Sequence, residues 1–471
     1  MNTTIATPGS SGPIEWPATG AAWYAVIILA IVLMFGTMEN YIITYLIQPI
    51  KRDFGLSDLQ MSVLIGAAPS IFYVCIGFPL SRLVDSVRRN RLLSVALGLA
   101  GLATSLSGLT QRFWQFATCR AAVGGGSAIS NPTTYSLLAD YFPRERLTRA
   151  IAVLSMGLVG GRSLVPVLAG ALITVAAATG AVHFGAVTIR EWQLVFVMTG
   201  SLGVCGALLM LTVREPARRG KMSSAARALP VLHVLRYVWA HKRLYLPQFL
   251  ALAFYAVETY GLDLWRVEFL RRTYGWTPAM TGTVLGPTNL VASVIGLAVG
   301  TRLTEWLARR RDDANLRTVG YCYLIAPLFA TCAPLMPSAP LSIACSAVTA
   351  MLGMAGVAPQ NAALQSVTPN EMRGRITTMY YFVLSVVGIG LGPTVMAFIT
   401  DVLIRDESKI RYSMSLCAGL MTPLAAIAIW MAVKPYGRAI QEIKAGEPGV
   451  ASIQEKSPPA SMTRMPPKPA A

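Results

Sequence analysis

Residues 22–47 read AWYAVIILAIVLMFGTMENYIITYLI. A helix of that length rises about 39 Å, more than the ~30 Å hydrocarbon core of a bilayer. It carries a single charged side chain, Glu39. With no polar face to offer water, the stretch predicts a membrane-spanning helix. Similar runs recur near 61–80, 92–110, 113–138, 150–175 and 193–213. A second set lies near 246–270, 281–301, 319–336, 340–363, 376–400 and 413–433. The expected fold is therefore an all-α membrane protein with twelve transmembrane helices.

Composition agrees. Of 471 residues, 54% are hydrophobic and 13% charged, against about a quarter charged in a soluble domain. The net charge of +18 would suit a nucleic-acid binder, but its placement does not. With both termini in the cytoplasm, 28 Lys and Arg fall on the cytoplasmic side and 9 on the other. This positive-inside bias fixes a multi-pass orientation in the cell inner membrane. The first twenty residues lack the basic start of a signal peptide, so residues 1–21 are expected to stay cytoplasmic. Residues 434–471, rich in Pro, Ser and Ala, are expected to form a disordered cytoplasmic tail.

The chain is written twice. Arg82, Leu83 and Asp85, followed by Arg89, are matched 220 residues later by Arg302, Leu303 and Glu305, followed by Arg309. Pro143, Glu145 and Arg149 are matched 226 residues later by Pro369, Glu371 and Arg375. The predicted architecture is two six-helix pseudo-repeat bundles, 22–213 and 246–433, joined by a cytoplasmic linker at 214–245. Parallel repeats of this kind place a binding site near the bilayer midplane, between halves that rock.

These residues carry a resemblance. GFPLSRLVDSVRRNRLL at 77–93 resembles a degraded loop signature of the major facilitator superfamily. CRAAVGGGSAISNPTTYSLLADYFPRERLTRA at 119–150 resembles its fourth-span signature. With EWQLVFVMTG at 191–200, VREP at 213–216 and QSVTPNEMRGR at 365–375, the chain is most similar to Spinster-like members over about 22–435. The resemblance implies alternating-access transport. It also shows departures. Spinster-like proteins usually carry Asp-Arg where this chain has Glu39-Asn40, and Gly-Glu-Ala where it has Gly126-Ser127-Ala128. The fourth-span arginine is kept as Arg120.

Charges inside a span cost about 2.5–3.5 kcal/mol each and ask for a role. Glu39 and Arg120 lie about 12 and 10 Å below the outer ends of their spans, so they sit at one level. Pairing would satisfy both, and protonating Glu39 would free Arg120 for an anion. Arg162 lies about 18 Å into its span, with no acid within two turns; an arginine fork binds carboxylate or phosphate at two points. In the seventh span, Glu258 is a second protonation candidate. Asp263 is a third, or a local i,i+3 partner of Arg266. Tyr255, Tyr260, Tyr380 and Tyr381 offer aromatic faces to substrate or to neighbouring helices. Asp85 and Arg89, with Glu305 and Arg309, are expected to latch one face as gates.

No phosphate loop, nucleophile motif or His/Cys cluster is present, and Gly124-Gly125-Gly126 read as close helix packing. No enzyme activity, cofactor, metal or nucleic-acid partner is expected. The expected protein is a monomer in a lipid bilayer that meets a small-molecule substrate and protons. Proton-coupled uptake of an organic anion, such as an aromatic carboxylate, is the first expectation. Export of a lysolipid or amphipathic drug is the second, and a transporter-derived sensor the third.

Overall fold

The computed structural model describes residues 17–76, 87–142, 144–184, 187–216 and 231–445. Eight helices are long and apolar enough to cross a membrane among them: α1 (Thr19–Tyr45), α3 (Asp58–Ile76), α7 (Glu191–Leu211), α10 (Pro278–Ala308), α11 (Ala314–Leu335), α12 (Ala339–Ser366), α13 (Met372–Ile404) and α14 (Glu407–Ala445). Four more have the length to cross: α4 (Arg89–Ser107), α5 (Phe113–Tyr141), α6 (Arg144–Thr179) and α9 (Lys242–Tyr274). Two short helices, α2 (Ile47–Phe54) and α8 (Val231–Ala240), complete the set.

Helix ends follow local chemistry. Gly55 and Gly275 end α2 and α9 in the left-handed region, at φ 65° and 71°, where glycine pays no Cβ penalty. Ser57 and Gln60 form a capping box at the start of α3, satisfying two backbone donors that a helix start leaves open. Thr277 caps α10 just before Pro278.

The fold is all-helical as expected, with one short antiparallel pair between two spans, Val182–Phe184 with Val187–Ile189. Within the linker, Val234 of α8 is buried against the following bundle. One expectation changes. The helix expected to end at 433 continues to Ala445. Its polar end is held by Lys444 on Asp312 and by Asn315 on the Tyr436 hydroxyl at 3.2 Å.

The core has a telling shape. At the end of the molecule holding Lys51 and Glu407, one apolar cluster runs through both halves, from Met38, Phe116 and Trp192 to Trp265, Phe269 and Met396. At the other end, which holds both described termini, each half keeps its own core. Val26, Leu97, Leu138 and Met210 form one; Tyr245, Tyr323, Ile376 and Tyr436 form the other. Among the described residues, the halves thus share one core at one end and keep separate cores at the other.

Candidate functional site

The packed end explains the local geometry around Arg120 on α5. Its side chain is 1% exposed, beside the edge-to-face rings of Phe116, Trp192 and Phe196. The guanidinium lies 5.8 Å from the Phe196 ring centroid, a cation–π distance. Arg120 does meet Glu39, at a different atom from the one expected. Its Nη2 donates to the Glu39 carbonyl oxygen at 3.1 Å, while Nε and Nη1 have no partner among the described residues. The Glu39 carboxylate turns instead toward Gly203 on α7. A Cβ added at Gly203 would fall 1.6 Å from the Glu39 Oε1, so only glycine admits that rotamer. The expected ion pair is therefore open: a buried guanidinium with two free donor directions stands beside a buried carboxylate.

The two departures from the Spinster-like pattern touch each other. Asn40 Nδ2 donates to Ser127 Oγ at 3.3 Å, and to the Gly36 carbonyl at 2.7 Å. A neutral pair occupies positions where the resemblance leads one to expect an arginine and a glutamate.

In the second half, Glu258 is 2% exposed and accepts from Thr259 Oγ1 at 3.0 Å. Asp263 pairs with Arg266 at 3.1 Å, the local i,i+3 alternative. Tyr255 stacks on Tyr323, with centroids 4.8 Å apart, and its hydroxyl end fits only because position 353 is glycine. Tyr380 is buried, with its ring edge-to-face on Phe249. Tyr260 is half-buried against Gly388. Tyr381 is exposed, its hydroxyl on Asn361 Oδ1 at 3.3 Å. Arg162 sits on α6, but its side chain lies outside the described residues.

The gate residues need correction. Asp85 lies outside the described residues. Arg89 is buried within the first half, bonding Asp140 at 2.6 Å, Glu215 at 2.9 Å and the Ser136 carbonyl at 2.9 Å. It ties α4, α5 and the segment after α7 together, and its printed bonds all stay within the first half. Glu305 and Arg309 are both exposed at the end of α10 and form no ion pair among the described residues.

The latch lies at the opposite end, among residues the sequence reading counted only as topological charge. Asp58 accepts from Arg272 at 2.6 and 2.8 Å and from Lys51. Lys51 also reaches Glu407 at 2.6 Å. Arg271 bridges Glu268 at 2.7 Å and Gln48 at 2.9 Å, and the Leu59 amide donates to Asp401 at 2.7 Å. Gln48, Lys51, Asp58 and Leu59 belong to the first half; Glu268, Arg271, Arg272, Asp401 and Glu407 belong to the second. Basic pairs at 51–52 and 271–272 in equivalent loops were a visible sign, yet their acids stand 7 to 356 residues from Lys51.

Residues 28–393 match the model of the Major Facilitator Superfamily. The chain belongs to that superfamily. As a superfamily member it is a multi-pass membrane transporter of small molecules and not an enzyme. It is 28% identical over 427 residues to an MFS-type efflux pump of Mycolicibacterium smegmatis, covering 89% of this chain and 95% of the pump. It is 21% identical over 333 residues to the protein spinster of Drosophila melanogaster, of which it covers 52%. The fold is similar to a crystal structure of a bacterial homologue of the human lysosomal transporter Spinster, inward-facing and unoccupied. That match has a TM-score of 0.74 at 21% identity and covers 92% of this chain and 99% of the other. In this superfamily member, Asn40, Ser127, Gly203 and the latch are the features that sequence reasoning left without a role.

Proposed function

We propose that the chain is a proton-coupled secondary transporter of an organic anion, working by alternating access. The carrying observation is Arg120: a buried guanidinium whose Nε and Nη1 have no partner among the described residues, next to a carboxylate held away from it by the Gly203 notch. A buried cation left without an anion is costly, so the site calls for one. In this reading a substrate carboxylate takes the two free donor directions, and Glu39 carries the proton. Arg162 is a second anion contact, and the exposed Tyr381 with Tyr255 and Tyr260 offers aromatic surface. One proton moving with one monoanion transfers no net charge, avoiding about 2.3 kcal/mol per 100 mV.

The proposal includes twelve spans in two six-helix bundles, placing α4, α5, α6 and α9 in the bilayer with the eight apolar helices. Both termini face the cytoplasm of the inner membrane and the protein works as a monomer, so the latch seals the outer face. Uptake is the first direction. The efflux pump of which this chain covers 95% favours a second reading, export of an amphipathic anion through the same site.

The direct test is binding by purified protein that runs as one sharp chromatographic peak, with labelled aromatic and aliphatic carboxylates. Arg120→Lys keeps the charge but loses the planar fork; the loss of about 1.5–3 kcal/mol predicts tenfold or weaker binding. Unchanged affinity in a well-folded Arg120→Lys protein would remove Arg120 as the anion site.

A further inference from the structure

Helix α8 of the linker has two apolar faces. On one, Val234 is buried, and Tyr237 and Val238 pack against the core of the second half. The Tyr237 ring centroid lies 6.0 Å from that of Tyr245 on α9. The other face carries Leu232, Leu235 and Trp239, which are 67%, 45% and 68% exposed. Their spacing of i, i+3 and i+7 aligns them in one stripe along the helix. A stripe of two leucines and a tryptophan is unfavourable in water and calls for a cover.

Position and charge say what the cover is. Only His241 separates α8 from α9, where exposed Leu246 and Leu250 carry apolar surface onward. At 10 residues, α8 rises about 15 Å, half the hydrocarbon core of a bilayer, so it can lie along the surface but cannot span. Its flanks are basic. Arg236, Lys242 and Arg243 are exposed, and Lys242 Nζ lies 5.5 Å from the Trp239 ring centroid. Between Glu215 and Glu258 the sequence carries seven Lys and Arg and no Asp or Glu. The linker therefore has no acid of its own to offset them. A tryptophan among cations suits the headgroup level of a bilayer, apolar on one side and wet on the other. A nucleic acid would match the cations but leave the leucines in water.

We propose that α8 is a membrane-surface anchor with a binding site for acidic phospholipid. Leu232, Leu235 and Trp239 enter the boundary between headgroups and acyl chains, and Arg236, Lys242 and Arg243 bind the lipid phosphates. Each such cation adds about fivefold in affinity for an anionic surface. The anchor holds the start of α9 at the bilayer surface, and the far end of α9 carries Glu268, Arg271 and Arg272 of the latch. Acidic lipid is thus a ligand of the second half, at a site separate from Arg120.

The test uses the full chain in lipid nanodiscs, with no organic substrate. Brominated lipid quenches a tryptophan that it touches. The difference between the unsubstituted protein and Trp239→Phe isolates Trp239 from the rest of the nine tryptophans. Trp239 is expected to be quenched more by brominated phosphatidylglycerol than by brominated phosphatidylcholine at equal content, by about twofold or more. Arg236→Glu with Lys242→Glu and Arg243→Glu should erase that preference and leave quenching by phosphatidylcholine in place. Raising the salt should erase it in the unsubstituted protein as well, which serves if the triple variant fails to fold. Equal quenching by the two lipids at low salt would overturn the acidic-lipid site. Absence of Trp239 quenching by either lipid would overturn the anchor itself and assign the stripe to a protein segment.

Discussion

Ser127 and Asn40 meet at 3.3 Å, at positions where Spinster-like sequences usually carry Glu and Arg. Ser127→Glu alone would bury a carboxylate without its partner, a loss on the order of 3 kcal/mol. Asn40→Arg alone would bury an extra cation beside Arg120, with a similar loss. The double variant should recover part of the summed loss, giving a coupling energy of about 1–3 kcal/mol in a thermal double-mutant cycle. Strictly additive losses would mean that the two side chains do not meet. Gly203 belongs to the same scale: Gly203→Ala places a methyl where the Glu39 carboxylate sits. The carboxylate must move, so overpacking of about 1–3 kcal/mol should appear as a lower Tm. Depth counting along the spans brought Glu39 and Arg120 to one level. It could not show which Glu39 oxygen Arg120 meets, because that depends on helix rotation and on a glycine 83 residues from Arg120.

Between elements, the latch carries the most consequence. Asp58 accepts from both Lys51 and Arg272, so Asp58→Asn removes the anion these two buried cations share and leaves Lys51 only Glu407 and Arg272 only second-half acids. Breaking a buried ion network costs about 3–5 kcal/mol, enough to move a two-state equilibrium most of the way across. Spin labels at the exposed positions 52 and 409 should therefore report a longer, broader distance in Asp58→Asn than in the unsubstituted protein. An unchanged distribution would show that apolar packing alone holds this end. The repeat argument found charged loops but chose Arg89 and Glu305 as the latch. Matching loops told where charge recurs; they did not tell whether its partner lies in the same half. Arg89 proved to be a staple within one half, and the cross-half pairs join residues more than 200 positions apart. Hairpin 182–189 and the ordered end of α14 were missed for a similar reason: each is stabilised by contacts with no local sequence pattern.

For the molecule as a whole, hydropathy and charge placement were enough to identify a multi-pass helical protein, and motif resemblance was enough to name the superfamily. The split of the core, continuous through both halves at one end and divided at the other, came only with the packing. Among the described residues it leaves one end packed across both halves and two separate cores at the other, with Glu39, Arg120 and Glu258 buried, an arrangement that suits the proposed alternating access. The account's central claim is that Arg120 holds an anion while Glu39 carries the proton that drives it. Proteoliposomes under an imposed pH gradient, offered a panel of labelled organic anions, test this most directly. The wild-type protein should concentrate an anion above equilibrium. Glu39→Gln should exchange it without concentrating it, and Arg120→Ala should not move it at all. Concentration by Glu39→Gln equal to that of the wild-type protein would contradict the claim.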